Sequence, residues 1–423
     1  MTDSPTTAAG APAATEAFPT GRPAGCPFDP DPAYARFRAQ PQLPTVSCPA
    51  GIDAILLTRY DDMRTVLRDD TASSRGATSF HAQHGVRLDR PADPGNILQL
   101  DGEAHDRLRR LLTREFTVAR ARALRPYLRR IIDEHIDAML AKDGPVDLVA
   151  DFALPIPSLV ICELLDVPYA DRDLFQSHAT ALSTATTTAA EVVRHTDALL
   201  GYLSGLVSDR LANPSEHDLI GRIIQHSRET DAPLAEDETR LLALILLIAG
   251  HDTTANQIAL SALALLRAPG QFDRLRAELA EAPHADDAES PISTAVEELL
   301  RYLSVVQFGA LRFTTEPVDV AGHRIEPGNW VINALAAGNR DEAIFPDADR
   351  IDLHRKAANH LAFGFGRHQC IGQQLARVEL KETLTALIQR VPALRLAVPF
   401  EDLEYKTAGI IYGVTSLPVL VHP

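Results

Sequence analysis

Apolar side chains recur at helical spacing through most of the chain. The pattern predicts helices over Ser158–Leu165, Glu191–Leu211, Glu238–Leu266, Gln271–Leu279, Ile292–Leu303 and Gln373–Arg390. It also runs from Arg107 to about Leu140, where Pro126 is expected to separate two helices because proline lacks an N–H and crowds the preceding turn. Strand-like runs are short. Val46–Thr58 holds two of them around Pro49-Ala50-Gly51, Val318–Leu335 reads as a hairpin, and the chain from Leu394 onward looks extended. Helices do not alternate with strands, so the expected class is mainly α with a small β-rich region. No glycine-rich dinucleotide fingerprint follows a strand, which argues against a bound NAD or FAD.

Composition narrows the picture further. Met1 to Gly25 is rich in Ala, Thr and Pro and has no apolar period, so it is expected to be a disordered tail, with residues 26–423 forming one domain. That segment lacks the basic start and apolar core of a secretory leader. No run of about 18 uninterrupted apolar residues exists, so a membrane anchor is not expected. Four scattered cysteines among 423 residues, none in CxxC spacing, suit neither a disulfide scaffold nor a cysteine-rich zinc site and point to the cytoplasm. A net charge of −16 argues against nucleic acid as a partner.

The richest local signal is Phe363-Gly364-Phe365-Gly366-Arg367-His368-Gln369-Cys370-Ile371-Gly372. Its glycines permit a tight turn and a close approach to something flat. Cys370 falls just before the helix that starts near Gln373, where free N–H groups and partial positive charge favour a thiolate. Phe363 and Phe365 are expected to shield the sulfur. Cys26, Cys48 and Cys162 lack such surroundings and read as small buried hydrophobes. A second signal interrupts the long apolar run Leu241–Gly250 with His251-Asp252-Thr253-Thr254-Ala255-Asn256. A helix apolar on all sides belongs in the centre of a large protein. A threonine there can bond the carbonyl of Ala249 and bend the helix, and Gly250 leaves the backbone open. Asp252 supplies an ionisable group that can pass protons. Thr254 is the weaker of the two threonine candidates.

The Phe-x-x-Gly-x-x-x-Cys-x-Gly loop resembles the haem-binding segment of the cytochrome P450 family. The likeness extends over nearly all the chain after the tail and is closest to the soluble bacterial hydroxylases of macrolides, sterols, terpenoids and drugs. It implies a triangular helical prism with haem b between the long central helix and the cysteine loop. Cys370 would be the iron ligand, a thiolate that favours O–O cleavage, and Phe363, Gly364 and Gly372 would border the cofactor. The Ala-Gly-x-Asp-Thr pattern would lie over the haem, with Thr253 stabilising the dioxygen being activated, Asp252 delivering protons and Gly250 lining the oxygen groove. His105 and Arg109, four apart on a helix, together with Arg312 and His368, would hold the propionates. Glu298 and Arg301 resemble the family's Glu-x-x-Arg pair, and Arg350 would be their third member.

The resemblance also implies substrate contacts from Gly76–Ile97, Phe175–Val193, Leu244–Gly250, Val305–Ala310 and Gly409–Gly413, with Val306, Phe308 and Ile411 as individual candidates. These are mainly apolar, so a hydrophobic small molecule is expected. No flavin or iron–sulfur motif is present, so electrons would come from NAD(P)H through a separate ferredoxin and its reductase, or a flavodoxin. Arg107 to Arg130 carries nine Arg and one Glu. Such a patch can steer an acidic partner, and Arg110, Arg114, Arg367 and Arg377 are the candidate docking residues. The expected function is O2-dependent hydroxylation by a monomeric, cytoplasmic monooxygenase. Epoxidation or oxidative coupling, a haem protein that binds ligand without turnover, and a metal site made of His360, His368 and Cys370 are the alternatives.

Overall fold

A computed structural model describes residues 15–23, 26–48, 51–75, 92–171, 174, 175, 177, 178, 181, 188–281, 290–407 and 410–423. Its axis is the helix Glu236–Arg267, which is buried along most of its length. The first half, around Leu242–Leu247, packs with the helices Gly102–Glu115, Pro155–Leu165, Ala189–Ala212 and Leu219–Arg228. The second half, Ile258–Leu265, joins a separate cluster with the helices Arg125–Leu140, Pro291–Leu303 and Gln373–Arg390. Buried His251, Asp252, Thr254, Asn256 and Gln257 occupy the stretch between the two apolar clusters. That arrangement explains how a helix buried all round tolerates a polar centre. By length and composition this helix could cross a membrane, but 67% of its most apolar window is buried inside the protein.

A third cluster lies under the β-rich part. Six strands pair in the order Glu16–Ala17, Thr45–Ser47, Asp53–Leu57, Trp330–Asn333, Ala310–Thr314 and Ala72–Ser73. Thr45–Ser47 and Asp53–Leu57 run antiparallel, as their sequence pattern predicts. Val318–Val320 pairs with His323–Ile325 through Ala321 and Gly322, both at positive φ, while Trp330–Asn333 leaves that hairpin for the large sheet. The C-terminal Pro418–Leu420 pairs with Arg395–Leu396 and Val146–Asp147.

Three expectations need correction. The stretch from 102 to 140 makes three helices, Gly102–Glu115, Val118–Ala123 and Arg125–Leu140. Pro126 does fall at a helix boundary, in the first turn of the last of them, where no intrahelical N–H bond is lost; the second break, after Glu115, was not expected. The segment expected to be a tail is packed from Glu16 onward: Glu16–Ala17 pairs with Val46–Ser47, Phe18 is buried against Tyr34 and Phe308, and Arg22 lies over the ring of Tyr412. Finally, Ala33–Arg38, Tyr60–Arg68 and Leu219–Arg228 are helices that the apolar period did not single out.

Candidate active site

The cysteine loop is built by close backbone approach. Gly364 and Gly366 both have positive φ, and a Cβ on Gly366 would sit 2.3 Å from the carbonyl oxygen of Leu67. Only glycine fits that contact and conformation together. A 3-10 turn at Gly366–His368 then delivers Cys370 to the start of Gln373–Arg390, with Gly372 as the N-cap. The Cys370 N–H donates to the carbonyl of Phe363 at 2.9 Å. The residue is open on one side and hemmed in on the others. That crowding pushes its thiol up, while the N–H of Gly372, the charges of Arg109 and Arg377 and the N–H of Gln373 pull it back down. The Phe365 ring faces the Tyr60–Arg68 helix, where the guanidinium of Arg64 lies 4.4 Å from it.

Beside Cys370 the structure gathers arginine and histidine donors from three separate elements. His105 and Arg109 come from Gly102–Glu115, Arg312 from the strand Ala310–Thr314, and His368 from the loop. The His105 and His368 rings are 4.2 Å apart. Burial lowers all four: His105 falls to about 4, helped by His368, and Arg312 falls to about 10, while Arg109 and His368 shift the same way. Two carboxylates stand among them: Asp106 lies 3.3 Å from His105 Nδ1, and Asp101 is the more deeply engaged. It accepts from Ser73 Oγ at 2.5 Å and from Ser74 N and Oγ at 3.0 Å, and lies 3.5 Å from His368 Nε2. Burial opposes its ionisation, but these contacts hold the carboxyl well below its usual range. Arg109 and Arg312 stay charged and make no salt bridge among the described residues, so with the ring N–H groups of His105 and His368 the donor set suits a further pair of carboxylates.

On the central helix, Thr253 Oγ1 donates to the carbonyl of Ala249 at 2.8 Å, the back-bond anticipated from sequence. Gly250 faces Ile161, whose Cδ1 would meet an added Cβ at 3.3 Å. Asp252 is buried, with Asn256 Nδ2 2.9 Å from its Oδ1 and Lys406 Nζ at 3.8 Å. Thr254 is also buried. Asn256 and Lys406 were not foreseen. The amide is one turn from Asp252 and could have been noticed, whereas Lys406 arrives from a C-terminal segment remote in sequence.

Glu298 and Arg301 are fully buried and share two hydrogen bonds, at 2.7 and 2.9 Å. Arg301 also donates to the carbonyls of Asn339 and Ala348. The third member is Arg355, whose Nε is 3.2 Å from Glu298 Oε1, and not Arg350, which offers only its backbone carbonyl to Arg301. Arg350 is exposed and forms no ion pair with Glu298 among the described residues.

The remaining candidates divide. Val306 and Ile411 meet in an isolated antiparallel bridge, and both are partly exposed. Phe308 is a core residue instead, packed edge-on against Phe18 at 5.9 Å. Residues 76–91, most of 175–187, and 408–409 of the proposed substrate segments lie outside the described residues. His360 faces Glu297 while His368 faces Ser74 and Asp101, so the two histidines do not converge on Cys370. Among the docking candidates, Arg110 is exposed, Arg114 is 3.7 Å from Glu229, and Arg367 pairs with Asp70 at 3.0 Å. Arg377 is engaged by Glu297 at 2.6 Å and is not a free surface charge. Much of the arginine surplus is likewise paired: Arg107 with Glu238, Arg125 and Arg129 with Glu382, Arg120 with Glu115.

A helical fold around one polar-centred helix, with a cysteine at a helix N-terminus beside buried cations, defines a haem-thiolate protein. The chain matches the Cytochrome P450 family over residues 169–394. It is 42% identical to cytochrome P450 CYP105Q4 of Mycobacterium marinum, covering 98% of each chain. It is 38% identical to the vitamin D3 dihydroxylase of Streptomyces griseolus, covering 99% of this chain and 100% of that one. A crystal structure of CYP105P1 in complex with filipin I superposes with a TM-score of 0.88 at 41% identity, over 96% of this chain and 99% of that one. This chain belongs to the cytochrome P450 family. It is a monooxygenase that uses haem b, O2, a small-molecule substrate and electrons from an external partner. When bound, the haem supplies the redox chemistry that activates dioxygen.

Proposed function

We propose that this protein hydroxylates a large hydrophobic small molecule, with Cys370 as the iron ligand and a ferredoxin and its reductase as the electron source. The observation that carries the reading is the convergence of His105, Arg109, Arg312 and His368 beside an open Cys370. Those two arginines and two imidazole donors suit the two propionates, and a bound metal deprotonates a coordinating thiol despite its crowding. Thr253 and Asp252 then serve the oxygen side: Thr253 holds its proton near Ala249, and Asp252 hands protons inward from Lys406 and solvent. Glu298, Arg301 and Arg355 support the loop. Gly250, Val306 and Ile411 border the substrate. The chain from Glu16 onward acts as one domain, monomeric and cytoplasmic.

The substrate class draws on relatives. One is named for vitamin D3 and another was crystallised with filipin I, and both are similar to this chain along nearly their whole length. Two measurements test the proposal. The ferrous carbon monoxide complex is expected to show the strongly red-shifted Soret band of thiolate ligation, which Cys370→His abolishes. A spin-state titration against bulky hydrophobic compounds is expected to find binders, followed by O2-dependent product formation with a surrogate ferredoxin system. An imidazole-type spectrum in the wild type would refute it.

A further inference from the structure

Glu297 adjoins Glu298 in sequence but serves a different cluster. Its carboxylate takes Arg377 at two points, Nε to Oε1 at 2.6 Å and Nη2 to Oε2 at 3.0 Å. His360 Nε2 lies 3.2 Å from the same Oε2. His360 is buried, and its Nδ1 accepts the Ala362 N–H at 3.1 Å. An accepting Nδ1 places the ring proton on Nε2, which meets Glu297 as a close polar contact and not as an aligned hydrogen bond. Arg377 also donates to Gln373 Oε1 at 2.9 Å, in the first turn after the cysteine.

The cluster closes on the thiolate loop. The Arg377 guanidinium lies 4.6 Å from the Phe363 ring centroid, and the His360 ring is 5.6 Å from the same ring. Phe363 in turn accepts the Cys370 N–H at 2.9 Å. Burial opposes a charge on Glu297, but His360 and Arg377 hold its carboxyl at about 2, so the ion pair persists at neutral pH. A half-buried, planar, two-point arginine contact fixes geometry in a way that a lysine ammonium does not.

We propose that His360, Glu297 and Arg377 are positioning residues for the thiolate ligand: Glu297 holds the Arg377 guanidinium over Phe363 and beside Cys370, and His360 holds Glu297. The proposal rests on the haem-thiolate reading of the site and replaces redox-partner docking as the role of Arg377. Residues that orient a metal ligand from outside its coordination sphere commonly matter by about 10- to 100-fold.

The test uses purified holoprotein and chemical reductant, so no partner protein enters. Wild type, Arg377→Lys, Arg377→Met, Glu297→Gln and His360→Gln are compared by the lifetime of the thiolate-type carbon monoxide band and by the reduction potential. Arg377→Lys keeps the charge but loses the fork, and is expected to shorten the lifetime about tenfold or more, as is Glu297→Gln. His360→Gln retains a donor toward Glu297 and is expected to stay near wild type. Because Glu297 acts through Arg377, Glu297→Gln should change neither readout further in the Arg377→Met background. A wild-type lifetime and potential in Arg377→Lys, or independent effects of Glu297→Gln and Arg377→Met, would overturn the proposal. A wild type without the thiolate band overturns the haem-thiolate reading itself, a separate result.

Discussion

The side-chain amide of Asn256 donates to both the backbone carbonyl and the carboxylate of Asp252, at 2.7 and 2.9 Å, one turn along the same helix. Asp252 Oδ1 therefore lies between that amide and Lys406 Nζ. Gly413 backs the arrangement, since a Cβ there would fall 1.7 Å from Asn256 Oδ1. Asn256→Leu keeps the volume and releases the carboxylate to rotate. Product turnover is expected to fall by about tenfold, a fraction of what a positioned proton donor contributes, while reduction by dithionite is unchanged. Gly413→Ala should act in the same direction by displacing the amide. Turnover unchanged in both variants would remove Asn256 from proton delivery.

Thr253 makes a narrower prediction. Its hydroxyl is held by the Ala249 carbonyl, which fixes where its oxygen can accept a proton or bond in turn. Thr253→Ala should still consume NAD(P)H through the redox partner but release more of it as hydrogen peroxide and less as product. Thr253→Ser should restore much of the coupling. The ratio of product to NAD(P)H oxidised is the measurement, and an unaltered ratio in the alanine variant takes Thr253 out of the mechanism.

The correction from Arg350 to Arg355 can be tested directly. Glu298 accepts from Arg301, from Arg355 and from the Asp352 N–H, all around one buried carboxylate. Arg301→Ala strands that charge, at a cost of about 3–5 kcal/mol, and should yield little haem-loaded protein. Arg355→Met should lower stability and haem content in the same sense, to a smaller degree because that side chain is partly exposed. Arg350→Met should leave both near wild type, since only its backbone carbonyl takes part. Equal losses from the Arg350 and Arg355 variants would contradict the geometry.

These residues show what could be read before the structure. The cysteine loop and the Ala249–Thr253 turn were legible because their chemistry is local: glycine conformations, a helix N-terminus and a bond four residues back are properties of adjacent residues. The helices were legible where an apolar stripe meets the core, as in Gln373–Arg390. Arg355 was missed because which arginine reaches Glu298 depends on how an irregular loop turns. Lys406 was missed because a contact across the fold leaves no mark in spacing. Phe308 was misassigned because an apolar residue beside a pocket and one behind it look identical in sequence. Arg377 looked like surface charge until Glu297, 80 positions earlier, was seen to engage it.

The remaining arginines carry the electron-transfer prediction. Arg110 is exposed with no acidic partner among the described residues, Arg114 is 58% exposed, and Arg367 flanks the cysteine loop. Arg110→Glu and Arg367→Glu are expected to slow reduction by an acidic ferredoxin and to flatten its dependence on ionic strength, because exposed charges act over about 10 Å at 0.1 M salt. Reduction by dithionite should not change. A ferredoxin-driven rate insensitive to salt in the wild type would exclude this face as an electrostatic docking site.

His251 links the central helix to acid stability. Burial, with Lys406 adding to it, lowers its pKa from 6.5 to about 4, and neither ring nitrogen has a hydrogen-bond partner among the described residues. The folded state therefore holds the ring neutral, while the unfolded chain takes up a proton as pH drops through 6.5. Stability is full above that value, declines as pH falls toward about 4, and stops declining below it as the folded ring also protonates. At pH near 5 the loss is on the order of 2 kcal/mol. His251→Leu removes the titrating group and should flatten the change in urea midpoint between about pH 7 and 5, whatever its effect on stability at neutral pH. If wild type and variant lose stability equally over that interval, the ring is not held neutral by its surroundings and the polar centre of the helix is wetter than its burial indicates.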